Sequence, residues 1–89
     1  MRVEPQPTTV RRIVVDLFRE FGATPRDLFD MQKKIMIDRG RYCARTYRVK
    51  GLMAMWLVEV GILQFYDADG NMLATINLFE ELAPQRMAA

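Results

Sequence analysis

Between residues 33 and 50 the chain carries Lys33, Lys34, Arg39, Arg41, Arg45, Arg48 and Lys50 against one acidic residue, Asp38, a net of +6. A run of this charge can hold phosphates, and such binding weakens steeply with salt. On a strand, residues of equal parity share a face, so Arg41, Cys43, Arg45, Tyr47 and Val49 are expected on one side and Tyr42, Ala44, Thr46 and Arg48 on the other. Arg41, Arg45 and Tyr47 would then form a small cationic patch with one ring on which a base could stack. On a helix, Arg41, Arg45 and Arg48 are spaced at four and three and form one basic stripe, the arrangement of a groove-reading helix. The candidate nucleic-acid-binding residues are therefore Lys33, Lys34, Arg41, Arg45, Tyr47, Arg48 and Lys50. The competing expectation is that these cations are a solvated face, or complement the second part of the chain. Residues 51–89 carry Arg86 alone against five Asp and Glu, a net of −4.

Other chemistry has little to stand on. The chain contains no histidine, the commonest general base and metal ligand, and its one cysteine, Cys43, cannot build a thiolate metal cluster. Cys43 lies in an apolar run without a sequence-visible base and is expected to be a buried small hydrophobe. No glycine-rich phosphate loop occurs. The segment "DADGN" at 67–71 resembles the start of a calcium loop, but Met72 stands where that loop needs glycine and Leu78 where it needs glutamate. No catalytic, cofactor or metal site and no small-molecule substrate is expected, and the chain does not read as an enzyme.

The second constellation is apolar. In "LMAMWLV", 52–58, Met53, Met55 and Leu57 alternate with Leu52, Ala54 and Trp56, so a strand here is apolar on both faces. One thin sheet under one helix cannot bury both. Met53, Met55 and Leu57 are accordingly candidate interface residues, for a second copy or a protein partner. Parity carried onward would group Trp56 with Val58, Val60 and Ile62, and Leu57 with Leu63.

The elements that must position these residues are legible from periodicity. Val10, Ile13, Val14, Leu17, Phe18 and Phe21 recur at three and four, predicting an amphipathic helix over 9–21, capped by Thr8 or Thr9 and ended by Gly22. Thr24, Pro25 and Asp27 predict the start of a short second helix reaching about Lys34. Beyond it, short apolar runs are separated at Arg39-Gly40, Lys50-Gly51, Gly61 and Asp69-Gly70, the pattern of an antiparallel meander. The turn at 67–71 has its own chemistry: Asp67 can accept backbone hydrogen bonds and Gly70 can take positive φ. Lys50-Gly51 is a poorer two-residue turn if lysine must take positive φ.

The expected fold is thus α+β, with the N-terminal helix packed on a four- to five-stranded antiparallel meander. The alternative is a winged helix, because Val49, Met53, Trp56, Leu57 and Val60 also repeat at three and four, although Gly51 would then fall within the helix at about 1 kcal/mol relative to alanine. At 89 residues the chain is expected to form one domain over 8–83 between loose ends at 1–7 and 84–89. So small a core would gain from oligomerisation. One cysteine, no signal-like apolar segment and no run long enough to span a bilayer point to a cytoplasmic protein without membrane contact.

Overall fold

A computed structural model describes residues 5–81, the side chains of Tyr42 and Glu81 excepted. Residues 1–4 and 82–89, and with them most of the expected loose ends, lie outside the described residues. Helix α1 (Pro7–Glu20) is followed by a short helix α2 (Pro25–Phe29) and five strands, β1 (Gln32–Asp38), β2 (Arg41–Val49), β3 (Leu52–Leu57), β4 (Ile62–Asp67) and β5 (Met72–Asn77), and then by a single turn α3 (Leu78–Glu81). The strands form one antiparallel sheet in the order β1-β2-β3-β4-β5. The α+β meander read from the sequence is the observed architecture.

Helix α1 begins two residues earlier than its periodicity suggests. Pro7 occupies the first turn, where its fixed φ suits the helix and its missing N–H is no loss, and Gln6 precedes it without a side-chain cap. Thr8 and Thr9 therefore lie inside the helix instead of capping it. At the other end the amides of Gly22 and Ala23 donate to the carbonyls of Arg19 and Phe18, a Schellman closure with Gly22 at φ 104°. The stripe Val10, Val14, Phe18 is fully buried, while Arg11, Arg12, Asp16, Arg19 and Glu20 face solvent.

Helix α2 has the expected cap. Asp27 N–H donates to Thr24 Oγ1 at 3.1 Å and Thr24 N–H to Asp27 Oδ2 at 3.0 Å. The Thr24 amide foremost, and then the Thr24 hydroxyl, hold the Asp27 carboxyl below its ordinary range. The helix stops at Phe29, short of Lys34. Lys33 and Lys34 instead belong to β1, because Ile35, Met36 and Ile37 continue a strand that pairs along its length with β2.

The core lies between α1 and one side of the sheet. Val10, Val14 and Phe18 meet Tyr47, Ala54, Trp56, Leu63, Phe65 and Leu78, with Phe18 and Phe21 set edge-on to the Phe65 ring at centroid distances of 5.7 and 5.9 Å. Each large side chain buried this way contributes on the order of 1.5–3 kcal/mol relative to exposure. Trp56 pairs across the sheet with Leu63 and Leu57 with Ile62, so the 58–61 loop resets the parity that the sequence alone suggests. Leu63, not Ile62, shares the core with Trp56.

Candidate functional site

Antiparallel register assigns every strand residue to one of two faces. On the face away from α1, three cross-strand rows run from β1 to β5: Gln32, Arg48, Met53, Tyr66, Met72; then Lys34, Thr46, Met55, Gln64, Thr75; then Met36, Ala44, Leu57, Ile62, Asn77. Met53, Met55 and Leu57 thus occupy the middle of this face, all three half-buried. No element among the described residues covers it. Thr46 and Ala44 are only 7% and 4% exposed, screened in a central strand between longer side chains, and the Thr46 hydroxyl donates to the Lys34 carbonyl at 3.5 Å. At the margins Met36 and Met72 are 44% and 52% exposed.

The basic residues do not form the patch that strand parity suggests. Tyr47 points to the helix side and is fully buried beneath α1, so its ring offers no surface to a base. Arg45 shares that side and lies over Trp56, its guanidinium carbon 5.8 Å from the ring centroid. Arg48 and Lys34 take the open face, where with Gln32, Lys33 and Thr46 they line a shallow hollow. Arg41 is separated from Arg45 by a bulge. Met36 pairs with Ala44 and Ile37 with Tyr42, which leaves Cys43 as an extra residue and turns Arg41 to the side of Asp38 and Met36. Arg41 Nη2 lies 3.2 Å from Glu59 Oε1, an exposed ion pair joining the basic segment to the acidic part of the chain. Lys50 sits in the β2–β3 turn, where Gly51 alone of the two takes positive φ, so the difficulty foreseen for lysine does not arise.

Cys43 is half-buried, not buried as expected, because the bulge leaves it without a register partner on β1, and its Sγ donates to the Met36 carbonyl at 3.3 Å. At the opposite end of the sheet, Asp67 organises the β4–β5 turn. Its Oδ1 accepts from the amides of Asp69 and Asn71 at 2.9 Å each, and its Oδ2 from Asn71 Nδ2 at 3.1 Å. The Asn71 bonds hold the Asp67 carboxyl below its usual range against a smaller opposing desolvation. The likeness of this segment to a calcium loop has its physical reason here, in an aspartate whose oxygens accept from the turn. Among the described residues no group of three or more Cys, Asp and Glu could hold a metal ion, and no helix is long and apolar enough to cross a membrane.

Two features escaped the sequence reading. One is the uniform exposure of β1, which lies beyond the reach of α1 and leaves Ile35 and Ile37 uncovered on the helix side. The other is Gly61, whose carbonyl accepts from Leu78 N–H at 2.7 Å and whose Cα faces the Phe79 ring. No protein-family model, curated protein or solved structure matches this chain.

Proposed function

We propose that this chain is a non-catalytic protein-interaction domain that acts through the open face of its sheet, by self-association or by seating a protein partner. The observation that carries the reading is the row of Met53, Met55 and Leu57 at the centre of a face that no described element covers. Ile62 and Tyr66 on β4 and Met72 on β5 extend this apolar centre to one edge of the sheet, and Met36 on β1 adds an apolar side chain at the other, across Ala44, Thr46 and Arg48 of β2. Methionine is flexible and polarisable, which suits a surface that must fit another. A cytoplasmic setting agrees with a lone thiol left half-buried and unbridged.

The test is Met55→Lys, followed by light scattering and circular dichroism. The expected outcome is a smaller assembly that keeps its secondary structure, because a charge at this position disrupts an interface and leaves the core under α1 intact. Unfolding without dissociation would make Met55 a core residue and end the reading.

The hollow lined by Lys33, Lys34 and Arg48 supports a second reading, phosphate binding of a nucleic acid along β1 and β2. Its signature is micromolar affinity whose salt slope falls by about one for each of Lys34 and Arg48 changed to glutamine. Salt-independent or absent binding would remove it.

A further inference from the structure

We infer that the occupant of the open face is a second copy of this chain, stacked face to face about a two-fold axis that runs along β3. The inference rests on the reading of this face as a protein interface and adds the identity and orientation of the partner.

Size is the first argument. Five strands about 4.8 Å apart and six residues at about 3.3 Å each make a face of about 24 by 20 Å, so two flat faces remove on the order of 1,000 Å² even before their corrugation is counted. That reaches the lower bound for a specific interface, with Met53, Met55 and Leu57 at the centre and margins that mix Gln32, Lys34, Thr75 and Asn77 with Met36 and Met72.

Symmetry and charge give the orientation. Since β3 is the middle strand of five, an axis along it places β1 of one copy over β5 of the other and β2 over β4, and returns each cross-strand row to itself. Met53, Met55 and Leu57 then meet their own counterparts on the axis. Arg48 comes over the ring of Tyr66 in the second copy, next to the acidic turn at Asp67, and Lys34 comes over Thr75. The other face-to-face two-fold, with its axis across the strands at the Met55 row, stacks Lys34 on Lys34. The three rows hold Lys34 and Arg48 as their only charges, so this second arrangement juxtaposes like charge and the first does not. The roughly 30° between aligned sheets displaces the margins by a few ångströms, within the reach of lysine and arginine side chains.

Position 75 tells the two arrangements apart, because Thr75 is exposed and faces Lys34 only when the axis follows β3. Sedimentation equilibrium on the full chain should show a dimer at tens of micromolar. Thr75→Glu should tighten the dimer by at least about threefold at low salt and Thr75→Lys should loosen it by a similar factor, since each contact occurs twice. Lys34→Glu combined with Thr75→Lys should restore the wild-type constant. A dimer indifferent to all of these substitutions, or shifted in the opposite sense, overturns the axis along β3. A chain that sediments as a folded monomer at every concentration overturns the second copy as occupant, while the reading of the face as an interface stands or falls separately on whether Met55→Lys stays folded.

Discussion

The two sides of β3 are built from similar residues and have opposite surroundings. Leu52, Ala54 and Trp56 face α1 and join the core, whereas Met53, Met55 and Leu57, one position along in each case, face no other described element. Hydrophobicity alone does not separate the sides. What separates them is the single stripe of α1, which spans Tyr47 on β2 to Phe65 on β4 and leaves nothing for the other face. A sheet covered on one side normally turns polar residues to the other, so apolar residues on both sides are a reason to look for a second cover.

The largest expected contrast comes from truncating each side. Phe65→Ala removes a fully buried ring touching Phe18 and Phe21 and should cost about 3–5 kcal/mol, enough to unfold so small a domain, as read by denaturant titration. Met53→Ala on the open face should cost less than about 1 kcal/mol in the dissociated chain. Comparable losses at the two sites would show that both sides of the sheet are equally part of the core.

The turns rank next. A Cβ on Gly61 would lie 2.6 Å from the Phe79 ring, and φ there is +65°, so Gly61→Ala should destabilise by about 2 kcal/mol in a thermal melt. Gly70 is equally left-handed but has nothing within 4 Å, so Gly70→Val should cost about 1–2 kcal/mol from backbone strain alone. The β1–β2 turn works the other way. Arg39 adopts φ 53° in a two-residue loop that favours asparagine or glycine at that position, and Arg39→Asn should stabilise by about 0.5–1 kcal/mol.

A smaller effect is expected from acid. Because the Asp67 carboxyl titrates lower when folded than when unfolded, the stability it contributes is fully present above its unfolded pKa and is lost as pH falls through the folded value. Melting temperature should therefore decline below about pH 4, and Asp67→Asn should flatten that decline without affecting neutral pH dependence. An unaltered acid limb would show that the turn forms without help from the carboxylate.

Much of this was legible in the sequence where signals are local. The Thr24-Asp27 cap, the Gly22 stop, the Asp67–Asn71 turn and the period-two alternation of 52–57 each depend on residues a few positions apart. The face of Tyr47 was not legible. Parity groups it with Arg45, but only the placement of α1 decides that their side is the buried one. The bulge at Cys43 was equally hidden, since it depends on register with β1, and it is what divides Arg41 from Arg45. The end of α2 was misplaced because Lys33 and Lys34 suit a helix as well as an edge strand.

Adjacent residues of β3 face different surroundings, and the difference is read by thermal melts of Ala54→Lys and Met55→Lys, followed by circular dichroism at a concentration where both chains are monomeric. Ala54 is fully buried beneath α1 and Met55 points the other way. Ala54→Lys should abolish the cooperative transition, while Met55→Lys should melt within a few degrees of the monomeric wild type. Two chains that both unfold, or both melt like the wild type, would contradict that difference.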